Sequence, residues 1–234
     1  GLPEGVRTVE IWLPQAHPVR LRHLEIDDDD QAGIVPDTRR RWVVYGSSIT
    51  HCGGAHSPAR TWPATAARAL DLNLTCLGYG GACHMEPLVA LMIRDLPADY
   101  ITLKVGINIQ GGQSLSPRTF GPALIGMVRI IREAHPTTPI AVVSPILSPP
   151  RETQPNAVGL SLTTMRELLS DAVDRLRATE DLHIDYFSGL TLFDESLAAE
   201  HLPDDVHPDA EGYEAMGRHF VERIWPAWTG EGLA

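Results

Sequence analysis

The sequence predicts an α/β protein, a three-layer α/β/α sandwich around a five-stranded parallel sheet, and three observations carry that reading. From Trp42 onward, short apolar runs alternate with stretches of helical periodicity. The runs are too continuously apolar to have one face in water, as expected of parallel strands covered on both sides. Glycine, serine, asparagine and histidine gather in the loops just after those runs, where ligands meet open α/β sheets. A chain of 234 residues suffices for one such unit, and 43% hydrophobic with 21% charged residues is ordinary globular composition.

Residues 6–13 (VRTVEIWL) and 19–26 (VRLRHLEI) alternate apolar with polar positions around the interruption Pro14 to Pro18, so they read as a short N-terminal β-hairpin. The stretch 27–41 (DDDDQAGIVPDTRRR) combines an acidic run, Gly, Pro and a basic run, can bury little apolar surface, and reads as a connector. The parallel strands are expected at WVVY (42–45), LTCLGY (74–79), YITLKV (100–105), IAVVSP (140–145) and HIDYF (183–187). Helical periodicity falls between and after them, at 60–71, 84–95, 117–135, 161–178 and 209–225. Right-handed crossovers between parallel strands place those helices on the two faces of the sheet. The expected organisation is an N-terminal segment over 1–41 followed by an α/β domain over 42–234.

Lys and Arg number 19 against 30 Asp and Glu, a formal charge of −11 that repels phosphate backbones and anionic lipid surfaces. Neither nucleic acid nor a membrane is an expected partner. No apolar run approaches the roughly 20 residues of a membrane span, so the chain reads as soluble, with cytoplasmic and secreted locations both open. Three cysteines, Cys52, Cys76 and Cys83, are too few for a disulfide framework and read as small buried hydrophobes, although Cys52 and Cys83 would approach each other if their loops meet.

Four blocks carry chemistry. The first strand runs into Gly46-Ser47-Ser48-Ile49-Thr50, which places a hydroxyl on a tight strand-to-helix turn. The second strand ends at Gly78-Tyr79-Gly80-Gly81, where glycine brings its N–H to a ligand, and the third at Gly106-Ile107-Asn108, where the side-chain amide is a donor. Each of these alone is ordinary turn and capping chemistry. Near the C-terminus, Asp204-Asp205-Val206-His207-Pro208 sets a carboxylate three residues before an imidazole, a spacing that lets it fix the ring's tautomer.

In this order and spacing, the blocks resemble the SGNH hydrolases, the GDSL esterase and lipase family, over residues 42–225. Gly46-Ser47-Ser48-Ile49 matches the Gly-Asp-Ser-Leu block, Gly81 the second-block glycine, Gly106-Ile107-Asn108 the Gly-x-Asn block, and Asp204 with His207 the final Asp-x-x-His. The chain departs from the pattern at Ser47, Ala82 and Ile109, where aspartate, asparagine and aspartate are usual. The resemblance implies a flavodoxin-like sandwich and a serine esterase that needs no cofactor and no metal. Ser48 would be the nucleophile, His207 the general base, Asp204 its orienting partner, and Ser48 N–H, Gly81 N–H and the Asn108 amide the oxyanion hole. The two N-terminal strands resemble the tail of a β-sandwich that precedes this domain in some carbohydrate esterases.

A small-molecule ester is thus the expected substrate. Short acyl chains are favoured because no amphipathic, large-hydrophobe insertion of a lipase lid is visible, and an acylated saccharide fits the N-terminal resemblance. A GDSL-type lipase or acyltransferase is the alternative within the family. Metal catalysis, using His51, Cys52, His56, Cys83 and His84, is the rival from within the enzyme class, although their spacing matches no zinc pattern. A non-catalytic carbohydrate-binding or scaffold domain is the rival from another class. The proline-rich loop 146–159 is expected to wall the pocket, with Arg151 and Glu152 as candidate polar contacts, or to be a solvated connector. Oligomeric state is open.

Overall fold

A computed structural model describes residues 5–27 and 31–231 of the chain. Five strands, β1 (Arg40–Gly46), β2 (Leu72–Gly78), β3 (Tyr100–Lys104), β4 (Ile140–Val143) and β5 (Ile184–Phe187), pair in parallel in the order β2-β1-β3-β4-β5. This is the doubly wound order whose chain reversal lies beside the first strand. β3 and β4 are buried along their whole length, as strands covered on both faces must be. Gly46 is in register with Gly78 on one side and Lys104 on the other, so the loops after β1, β2 and β3 leave the sheet at one level.

On one face α3 (Pro87–Asp95), α5 (Pro117–Arg132) and α6 (Leu162–Ala178) pack in series. On the other, α2 (Trp62–Ala69) packs against α9 (Ala210–His219) and the C-terminal turns. Shorter helices follow the strands at their carboxyl ends: α1 (Ser48–His51) after β1, α4 (Ile107–Gly112) after β3, α7 (Gly189–Leu192) and α8 (Glu195–His201) after β5. Four of the five tryptophans join one aromatic cluster under the second layer. In it Trp42 stacks on Phe220 at 4.8 Å and Tyr100 meets Trp225 edge-on at 4.7 Å. Such pairs contribute about 0.5–1.5 kcal/mol each beyond the area they bury.

The helix expected over 209–225 is interrupted. Phe220–Ile224 winds as a π-helix before α10 (Trp225–Thr229). Pro226 has no N–H to donate and its ring would strike the carbonyl four residues back, so a wider turn accommodates it. Among the described residues no helix is long and apolar enough to cross a membrane.

The expected hairpin does not form. Residues 5–27 contain no strand, and Val9, Ile11, Leu13, Val19, Leu21, Leu24 and Ile26 are exposed. Alternation supplies one apolar face, but a two-stranded ribbon is at best marginal unless a third strand or a helix covers it. The segment is instead held by point contacts. Arg39 pairs with Glu10 at 2.6 Å, and Gln15 binds the end of α1, its amide donating to the Cys52 carbonyl at 2.9 Å and its own carbonyl meeting His51 Nε2 at 2.6 Å.

Candidate active site

The site is built on β1. Gly46 ends the strand where an added Cβ would collide with the Thr50 side chain, so only glycine lets the chain turn this tightly into α1. Ser47 then caps α1, its hydroxyl accepting from Ile49 N–H at 3.2 Å, and is buried. Ser48, first residue of the helix, is left half-buried with its Oγ 2.8 Å from His207 Nε2. The two adjacent serines thus have different work, and the departure from the usual aspartate at position 47 falls on a residue whose side chain faces the helix.

His207 comes from the loop joining α8 to α9. Its Nδ1 lies 2.7 Å from Asp204 Oδ2, while Asp204 Oδ1 accepts from the backbone N–H of His207 at 2.6 Å and of Val206 at 3.0 Å. Desolvation pushes the Asp204 carboxyl up, but the bonds from the His207 N–H, the His207 ring and the Val206 N–H outweigh it and hold the carboxyl at about 2. An ionised Asp204 favours the His207 tautomer with its proton on Nδ1, and in that tautomer Nε2 accepts from Ser48. The loop is closed at its base as well: the Asp209 N–H donates to the His201 carbonyl at 3.0 Å, and the Asp209 carboxylate lies 3.1 Å from the His201 ring.

The loop after β2 approaches Ser48, whose Cβ would lie 3.8 Å from a Cβ added at Gly80, and the loop after β3 is tied to it. Gly81 has φ +72, a conformation natural to glycine, with open space where a Cβ would stand. Just below it, Tyr45 of β1 donates to Glu86 at 3.0 Å and accepts from Met85 N–H at 3.1 Å, fixing the downstream end of that loop. Asn108 lies in the first turn of α4, not in an open loop. Its Oδ1 accepts from Cys83 N–H at 3.1 Å, which ties the β2 and β3 loops together and turns the amide NH₂ the other way. Gly106, with φ +128, would bring a Cβ to 2.6 Å from Pro145 Cγ, so the Gly-x-Asn turn admits no side chain at its first position.

The alternative metal ligands are dispersed. His51 binds Gln15, His56 lies 2.9 Å from Glu211, and His84 lies 2.6 Å from Ser114 Oγ and 3.1 Å from the Gly81 carbonyl. Cys52 and Cys83 are buried free thiols. Burial pushes both up, Cys83 to about 12, so they are neutral at physiological pH. Among the described residues no group of three or more His, Cys, Asp or Glu converges to hold a metal ion.

Sequence reasoning missed two contributors, Gln15 and Ser148. Gln15 reaches the end of α1 from 36 residues away in sequence. Ser148 donates to the backbone of the His207 loop at 2.6 Å. No local pattern marks either.

The arrangement sets a hydroxyl, an imidazole and a carboxylate in hydrogen-bonding line beside two tied loops, a geometry that can serve acyl transfer. A sequence model of the GDSL-like lipase/acylhydrolase family matches residues 44–215. Among solved structures, the salicylyl-acyltransferase SsfX3 from a tetracycline biosynthetic pathway is 34% identical with a TM-score of 0.73, covering 82% of this chain and 56% of that one. A candidate GDSL-like lipase from Bacteroides ovatus is 25% identical with a TM-score of 0.68, covering 80% of this chain and 53% of that one. The chain therefore spans about half the length of these two relatives. A family 2 carbohydrate esterase with a carbohydrate-binding domain, from Corynascus thermopiles, shares the fold at 20% identity with a TM-score of 0.63, over 86% of this chain and 69% of that one. No curated protein matches the chain by sequence.

Proposed function

Because the chain belongs to the GDSL-like lipase/acylhydrolase family, we propose that it is a serine esterase that cleaves short-chain acyl esters through an acyl-enzyme on Ser48. The observation that carries this is the continuous line from Ser48 Oγ to His207 Nε2 at 2.8 Å and from His207 Nδ1 to Asp204 Oδ2 at 2.7 Å. In the proposed reaction His207 takes the Ser48 proton as Oγ attacks the acyl carbon, then returns it to the leaving alcohol. Asp204 stabilises the imidazolium. The N–H groups of Ser48 and Gly81 and the Asn108 amide receive the negative oxygen of the tetrahedral intermediate. Water, activated by His207, releases the acid.

The oxyanion role has its own signature. Asn108→Ala is expected to lower kcat by about 10²- to 10³-fold with little change in KM, because the donor acts on charge present only in the transition state. Steady-state kinetics on p-nitrophenyl acetate read this out. A raised KM with kcat spared would make Asn108 a ground-state contact instead.

A small acyl group and a polar alcohol complete the proposal. Within residues 40–231, the exposed large hydrophobics are Leu88, Leu182 and Leu190, one each on α3, the turn before β5 and α7. The other exposed large apolar side chains lie on the N-terminal segment, whose described residues contain no amphipathic helix of the kind a lipase lid uses. An O-acetylated saccharide is the substrate we favour, in keeping with the carbohydrate esterase that shares the fold. Across p-nitrophenyl esters of increasing length, kcat/KM should be highest for acetyl and butyryl and fall for octanoyl. A steady rise beyond eight carbons would replace the esterase with a lipase. The acyltransferase neighbour favours a second reading in which an alcohol, not water, resolves the same acyl-enzyme. Product analysis with added alcohols separates the two, since a transferase accumulates the new ester.

A further inference from the structure

The proline-rich loop between β4 and α6, expected to wall the pocket with Arg151 and Glu152 as polar contacts or to be a solvated connector, turns Ser148, Arg151 and Glu152 onto the protein itself. Glu152 receives Arg166 through both oxygens, at 2.6 and 2.9 Å, and also accepts from Ser148 N–H at 3.0 Å. Arg166, 9% exposed, directs its remaining donors to the carbonyls of Pro145 at 3.2 Å and Ile146 at 3.3 Å. Ser148, 1% exposed, accepts from Arg151 at 3.0 Å and donates its own proton to the Asp205 carbonyl at 2.6 Å.

That carbonyl belongs to the same peptide plane as the Val206 N–H, which donates to Asp204 Oδ1 at 3.0 Å. The peptide between Asp205 and Val206 is thus gripped at both ends, by Ser148 and by the carboxylate that orients His207. Asp205 has φ +61, a left-handed conformation that aspartate tolerates better than most residues and that helps aim the Asp205 carbonyl at Ser148. A hydroxyl that accepts from a guanidinium is polarised into a better donor, which strengthens the grip.

We propose that Ser148, braced by the Glu152–Arg166 pair, is a positioning residue that fixes the Asp204–His207 loop for proton transfer. The inference rests on the esterase reading for its kinetic consequence, but its geometric claim is independent of turnover. A misplacement of the base by about 1 Å costs up to about 10²-fold in rate, so losing this bond should act on kcat rather than on substrate affinity.

The test compares Ser148→Ala, Ser148→Cys and Ser148→Thr by kinetics on p-nitrophenyl acetate, normalised to titrated active sites, and by ¹⁵N NMR of the His207 ring. Ser148→Ala should lower kcat by about 10- to 10²-fold with KM within twofold. Ser148→Cys, which keeps the volume but is a poor donor, should do nearly the same, and serves where the alanine variant fails to fold. Ser148→Thr, which keeps the hydroxyl, should recover most of the rate. The ring nitrogens of both deficient variants should report a mixture of tautomers where the wild type holds the proton on Nδ1. Unchanged kcat with unchanged ring shifts, or a raised KM with kcat spared, overturns the proposal. A wild type that hydrolyses no ester would sink the esterase reading while the ring shifts still decide this one.

Discussion

Ser48→Ala is expected to reduce kcat for p-nitrophenyl acetate on the order of 10⁶-fold, because nothing else at the site can carry the acyl group. The remaining acceleration of about 10³- to 10⁴-fold over the uncatalysed reaction comes from the oxyanion donors and binding. The adjacent Ser47→Ala should keep most of the activity and show a different loss. Ser47 Oγ caps α1 by accepting from Ile49 N–H at 3.2 Å, so its removal costs about 1 kcal/mol of stability. For a chain of this size that lowers the melting temperature by roughly 2–4 °C. Paired kinetics and thermal melts of the two variants distinguish a nucleophile from a helix cap. The reverse pattern, an inactive Ser47 variant and an active Ser48 variant, would displace the nucleophile by one residue.

Asp204→Asn should cost about 10⁴-fold in kcat while leaving the loop in place. Asparagine still offers an oxygen to the backbone N–H groups of Val206 and His207, which lie 3.0 and 2.6 Å from Asp204 Oδ1. Its NH₂, however, then faces His207 Nδ1 and favours the tautomer with the proton on Nε2, which cannot accept from Ser48. The sign of the pH dependence follows from the Asp204 carboxyl, held at about 2. A carboxyl depressed in the folded protein contributes fully above its ordinary value near 4 and is lost only as the pH falls through its folded value. Wild-type kcat measured from pH 4 upward should therefore show no limb from Asp204. More than a tenth of wild-type activity in Asp204→Asn would mean that another group orients the base.

The sheet was legible because fully covered parallel strands leave a pattern that local composition preserves, and Trp42–Tyr45 and Ile140–Val143 are buried throughout. The candidate site was legible for a related reason. Parallel strands in register deliver the loops after β1, β2 and β3 to one edge, and the α8–α9 loop brings His207, 159 residues from Ser48 in sequence, to 2.8 Å from it. Less visible was the helical setting of Asn108. The six residues of α4 have no side-chain cap and end in Gly111-Gly112; burial of Ile107 and Ile109 holds them, and a local propensity reading does not register that. The N-terminal segment misled because alternation describes a face without saying what covers it. Ser148 was hidden between a strand and two prolines, since a hydroxyl aimed at a backbone carbonyl 57 residues away leaves no periodicity to read.

The central claim is that Ser48 is the atom that bonds to the acyl carbon, and covalent trapping tests it most directly. The protein would be treated with an excess of a p-nitrophenyl alkylphosphonate, digested, and its peptides sequenced by mass spectrometry. The expected result is a single adduct on Ser48, absent from Ser48→Ala and formed far more slowly in His207→Ala, where the hydroxyl has lost its base. An adduct on Ser47 or any other residue, or a wild type that hydrolyses esters undiminished after full exposure to the reagent, would contradict it.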